Sequence, residues 1–205
     1  MLSEFGRNLG WKYIFWDKVE GFISPLEASK LRLCIPKHTA YLHVALPVGE
    51  ELYSLAGFPG SHNKVLFIAG FWGQVDFKPA RSIIERVSKS FPDIQISVVC
   101  GTNSKLADRL NKYFRNFIQV KIYGQVSSIA HLLRECASII SKPGFSTLSE
   151  AYVAKRKIFL LKGMPVAEDN NAGYAIENFS AEWFSLAGFR KWYYSKMGEV
   201  NDKLS

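Results

Sequence analysis

The chain has 205 residues, 48% of them hydrophobic and 21% charged, with a net charge of +8. That length can bury a substantial core, and that balance excludes a disordered segment. No apolar run reaches the roughly 20 residues that span a bilayer and no basic-then-apolar leader opens the chain, so a cytoplasmic protein, soluble or peripheral on the membrane face, is expected.

Residues 1–60 are irregular. The stretch 2–19 is rich in aromatic side chains (Phe5, Trp11, Tyr13, Phe15, Trp16) with no period of 2 or 3.6. Residues 22–25 read as a strand end and turn, 27–33 as a short helix, and 39–46 as a strand stopped by Pro47. Gly57, Pro59 and Gly60 make 49–63 read as a linker. Regularity begins at Lys64. Strands are predicted at 65–69, 94–100, 117–123, 137–140 and 158–161, and helices at 79–87, 106–114, 127–136, 148–154 and 170–178. A final segment, Lys191-Trp192-Tyr193-Tyr194-Ser195-Lys196, reads as part of an amphipathic helix or as an interfacial segment.

Strands alternating with helices of about ten residues define βαβ units, and hence an α/β, doubly wound, Rossmann-like parallel sheet. Ligands of such sheets bind beyond the carboxyl ends of the strands. Five loops fall there: Gly70–Gly73, Gly101–Asn103, Gly124–Val126, Pro143–Thr147 and Lys162–Asn171. The most informative is Ser141-Lys142-Pro143-Gly144-Phe145-Ser146-Thr147-Leu148-Ser149-Glu150, a Pro-Gly turn leading into a helix. Backbone N–H groups at such a helix start favour a phosphate, and Glu150 one turn later could accept from ligand hydroxyls. Ordinary capping explains the same letters: Ser146 with Ser149, or Thr147 with Glu150, has the spacing of a capping box. Glu168, Asp169, Asn170 and Asn171 likewise suit either a helix cap or sugar hydroxyls.

Other chemistry is sparse. Gly70-x-x-Gly73 matches neither the dinucleotide fingerprint nor the P-loop. His38, His43 and His62 lie in the irregular part, and His131 reads as a surface residue. Cys34, Cys100 and Cys136 are far apart and suggest buried apolar positions rather than a disulfide framework or a zinc cluster. Neither a metal nor a cofactor is expected. Residues 1–60 hold six basic and six acidic side chains, so the whole positive excess belongs to 61–205. The cations form no motif with interleaved stacking aromatics, so no nucleic-acid partner is expected. Lys155-Arg156-Lys157 reads as a solvated helix-to-strand connection.

Taken together, Val120-Lys121-Ile122-Tyr123-Gly124-Gln125-Val126, Ser141-Lys142-Pro143-Gly144 with 147–151, and 165–171 resemble the carboxyl-terminal domain of GT-B glycosyltransferases of family 28, a family that includes monogalactosyldiacylglycerol synthases and processive diacylglycerol glucosyltransferases. The resemblance covers about 64–180. It implies a UDP-sugar donor, with Val126 beside the uracil, Gly144, Ser146 and Thr147 at the diphosphate aided by Gly70 and Gly73, Glu150 on the ribose, and Glu168 and Asn171 near the sugar. It divides the chain into 1–48, the remnant of an acceptor-binding domain, a linker at 49–63, and a donor-binding domain at 64–205.

The implied reaction moves a hexose from UDP to a membrane lipid acceptor. The catalytic base of that family belongs to the acceptor-binding domain, so no catalytic residue is assigned here. The chain is expected to be incomplete or to need a separate acceptor-binding subunit, with a non-catalytic nucleotide-binding remnant as the alternative. Ala167 stands where the family has a Gln or Glu touching the sugar.

Overall fold

The structure is a computed structural model that describes residues 21–24, 40–43, 48–69, 75–162 and 166–201. Two short strands, β1 (Gly21–Ser24) and β2 (Ala40–His43), pair in parallel, with Gly21 opposite Ala40 and Ser24 opposite His43. The expected helix at 27–33 lies outside the described residues, as do the aromatic-rich 2–19 and Cys34.

Segment 49–63, which reads as a linker in the sequence, carries regular structure. It contains α1 (Glu50–Ser54), a 3-10 turn (Leu55–Gly57) and the first residues of β3 (Ser61–Ile68). Leu52 and Leu55 are buried, so two apolar side chains anchor a stretch whose Gly and Pro content hid it.

The main sheet has six parallel strands: β3, β4 (Gln95–Val99), β5 (Val120–Tyr123), β6 (Cys136–Ser141), β7 (Lys157–Leu160) and β8 (Glu182–Trp183). Their spatial order is β5-β4-β3-β6-β7-β8. Numbered within this sheet alone, that is the 3-2-1-4-5-6 order of doubly wound nucleotide-binding folds. The direction of winding reverses between β3 and β6, so the switch point, where such folds hold ligands, lies beside the carboxyl ends of those two strands.

Alternation along the strands separates two cores. Val65, Phe67, Ile96, Val98, Ile140 and Phe159 point to one face. That face is covered by α2 (Phe77–Ser90), α3 (Ser104–Phe114) and α7 (Leu186–Asn201). Leu66, Ile68, Val99, Ile139, Ile158 and Leu160 point to the other. There they meet α1, α4 (Ala130–Glu135), α5 (Phe145–Val153) and α6 (Val166–Asn178). Burial on both faces explains why the strands read as continuous apolar runs. Each fully buried Phe or Leu contributes about 1.5–3 kcal/mol through area removed from water.

Local chemistry sets the helix starts. The Asn103 side chain accepts from Leu106 N at 2.9 Å to cap α3, and Ser185 Oγ accepts from Gly188 N at 3.0 Å at the start of α7. Cys100 and Cys136 are buried free thiols, as expected; burial pushes Cys100 to about 11 and Cys136 to about 12. Arg156 departs from the sequence reading. It is buried, and its Nε donates to Leu133 O at 2.6 Å while Nη1 donates to Phe58 O at 2.5 Å. Among the described residues no helix is long and apolar enough to cross a membrane.

Candidate functional site

The carboxyl rim beside the switch point gathers most of the residues singled out in the sequence. β6 ends at Ser141, the chain turns through Lys142, Pro143 and Gly144, and α5 begins at Phe145. Gly144 is the N-cap, in an extended conformation, and no side chain caps the helix. Ser146 and Thr147 therefore stand at the second and third helical positions rather than at the cap. The capping-box reading needs one of them at the cap and does not apply. The first acceptor bond of the helix runs from Leu148 N to Gly144 O at 3.0 Å. Ser146 is exposed and Thr147 half-buried, both in the first turn of the helix that begins at the rim.

The turn itself is held from behind. Asn171, buried in α6, donates from Nδ2 to Pro143 O at 3.1 Å. This places Asn171 against the backbone of the Pro-Gly turn, where it fixes the approach to α5. Glu168 lies in the first turn of α6.

Glu150 lies one turn into α5, half-buried. Among the described residues no hydrogen bond or ion pair holds its carboxylate. Burial, reinforced by the negative charge of Glu51, pushes its pKa up to about 7. Glu51 comes from α1, which packs against α5. The Ser128 hydroxyl donates to Glu51 Oε1 at a long 3.4 Å, tying α1 to the loop after β5. In that loop Gly124 is exposed, with open space where a Cβ would stand, while Val126 is half-buried against the second core. Glu51 was missed in the sequence because its segment carries no periodicity.

Gly70 and Gly73 fall in 70–74, outside the described residues. The ends of that stretch meet at the rim, since Val75 N donates to Ala69 O at 3.3 Å beyond the end of β3. The structure thus brings the Pro143–Glu150 segment, Asn171, Glu51 and the Gly124–Val126 loop to one edge of the sheet. Among the described residues no group of His, Cys, Asp and Glu could hold a metal ion.

A doubly wound parallel sheet of this order defines a Rossmann-like domain, a fold that glycosyltransferases of the GT-B type also use. Solved structures share the fold: a glycosyltransferase from Rickettsia africae has a TM-score of 0.57 at 15% identity over 96% of this chain and 58% of its own. Acinetobacter baumannii MurG has a TM-score of 0.55 at 12% identity, covering 88% of this chain and 51% of its own.

The sequence relatives are more particular. Over 86 residues the chain is 41% identical to a processive diacylglycerol beta-glucosyltransferase of Bacillus cereus, which is 42% of this chain and 22% of the relative. The counterpart in Bacillus cytotoxicus is 38% identical over a stretch of the same length. The match thus spans about a fifth of the length of these curated relatives. No protein-family model matches the chain.

Proposed function

We propose that this chain is the donor-binding part of a hexosyltransferase that moves a hexose from a UDP-sugar to a membrane lipid. The observation that carries the proposal is the α5 start at the switch point, whose N-cap is Gly144 and which no side chain caps. The first-turn N–H groups of a helix start and its positive dipole end suit a diphosphate. Ser146 and Thr147 add hydroxyls to the same edge.

Glu150, unpartnered and half-buried, is one turn away and suits two adjacent ribose hydroxyls, which a carboxylate can accept from together. The Gly124–Val126 loop offers open backbone for the base. Glu168 and the Asn171-held turn border the sugar. Relatives named as diacylglycerol glucosyltransferases support a lipid acceptor, and an acceptor of that kind calls for work at a membrane face. An acceptor-binding domain, in the same polypeptide or in a separate subunit, supplies the base that removes the acceptor proton. This chain's share of the reaction is to hold and orient the donor.

Calorimetry with UDP tests the proposal. Saturable heat is expected, with affinity falling ten- to hundredfold in Glu150→Gln, the range for one or two lost charge-assisted hydrogen bonds at about 1.5–3 kcal/mol. Absence of UDP binding by the folded chain would falsify the donor-site assignment.

A further inference from the structure

The helices on the two faces of the sheet carry opposite charge. Among the described side chains, α2, α3 and α7 hold ten Lys and Arg against two Asp and Glu, whereas α1, α4, α5 and α6 hold one against six. The excess is spread over the outer side of one helical layer: Lys78 and Lys89 on α2, Lys105 and Lys112 on α3, and Arg190 and Lys191 on α7 are all exposed. Within these helices few acids offset it, and Asp76 and Asp93 flank the two ends of α2. Glu85 accepts from Lys89 Nζ at 2.6 Å and from the Tyr113 hydroxyl at 2.9 Å, which leaves Asp108 as the other described carboxylate on these helices. Exposed Tyr113, Tyr194 and Met197 lie among the cations.

We propose that the α2–α3–α7 face is the surface by which this protein docks on an anionic lipid bilayer. The choice of lipid rests on the lipid-acceptor reading above and on the rings of this face. A strand of nucleic acid needs open ring faces for stacking. Here the Arg81 guanidinium lies 4.8 Å from the centroid of Tyr113, and that of Arg109 lies 4.1 Å from Phe77. Tyr194 is set edge-on to Tyr193 and tilted against Phe91. Cations spread over a broad layer, with a few amphipathic side chains between them, suit lipid phosphates and the headgroup boundary. The acidic helices then face away from the membrane, so the charge asymmetry orients the molecule as well as attracting it.

The test is flotation of the full chain with vesicles of phosphatidylglycerol and phosphatidylcholine, against vesicles of phosphatidylcholine alone. Binding is expected to the mixed vesicles only, and to weaken steeply with salt. Each cation near an anionic surface is worth roughly fivefold in partition, so the triple variant Lys78→Gln, Lys105→Gln, Lys112→Gln should lose about a hundredfold. A control on the opposite side, Arg134→Gln with Lys155→Gln, should retain binding. UDP calorimetry on the same variants shows that they are folded and separates the two proposals. UDP binding without vesicle binding sinks the docking surface alone, and vesicle binding without UDP heat leaves it standing while removing the donor site. Equal partition to both vesicle types, an undiminished triple variant, or tighter binding to a single-stranded oligonucleotide than to the vesicles overturns it.

Discussion

At the scale of single residues, Glu150 sets its proposed donor-binding role against stability. Its pKa of about 7 against a reference of 4.5 means that the folded chain holds a proton which the unfolded chain releases between those values. Folding stability therefore falls as pH rises through that window and stays lower above it. Glu150→Gln removes the penalty: at pH 8 the variant should be more stable by on the order of 1–2 kcal/mol, yet bind the donor more weakly. Denaturant titration at pH 5 and pH 8 checks the first half, since the difference between the two proteins should appear only at the higher pH. Arg156 is the opposite case. Its guanidinium spans Leu133 O and Phe58 O, and Arg156→Ala would strand one buried and one part-buried carbonyl and cost about 2–3 kcal/mol. Arg156→Lys should recover little, because an ammonium lacks the fork that reaches two acceptors at once. Urea unfolding of the two variants measures both.

At the scale of elements, the sequence showed five of the six strands of the main sheet and the helices between them because β3, β4, β6 and β7 are largely buried and each helix presents one apolar face; two-residue β8, half-buried at the sheet edge, is too short to leave an apolar run. Apolar runs and amphipathic spacing are then direct records of the fold. The start of β3 left no such record. Gly60 has a φ of +67°, and a Cβ there would run into the Cys136 carbonyl at the beginning of β6. The β3–β6 register shifts between Ser61 and Val65. This is a backbone approach at the central strand pair, and in sequence it looks like one more linker glycine. Gly60→Ala should cost about 2–4 kcal/mol, combining left-handed strain with displacement of a backbone that cannot yield. A matched Gly57→Ala, where nothing lies within 4 Å, should stay within about 0.5 kcal/mol by the same thermal melts. The start of α5 was misplaced for a related reason: Ser146 and Thr147 look like caps, and only the backbone shows that Gly144 occupies that position.

At the scale of the whole molecule, what could not be read along the chain is which helices share a face. The excess of cations was visible beyond residue 60, but its confinement to one layer follows from the winding order, which puts α2, α3 and α7 together although a hundred or so residues separate the first from the last. The convergence of the rim loops was legible, since it requires only that the sheet be parallel; the approach of Glu51 to Glu150 was not, since it depends on how α1 packs back onto α5. The rim also joins both cores through β3 and β6, so a ligand held there should stabilise the molecule as a unit. At a hundred times its dissociation constant a ligand adds about 2.7 kcal/mol, and in a chain of this size that raises Tm by roughly 5–10 °C. UDP-hexose should produce such a shift at pH 8. Because a site that accepts ribose hydroxyls on an ionised Glu150 binds better once the proton has left, the shift should shrink at pH 6. In Glu150→Gln the starting Tm at pH 8 should be higher, the ligand-induced shift smaller, and the difference between pH 6 and pH 8 absent. A full shift in that variant at both pH values would place the nucleotide elsewhere on the rim.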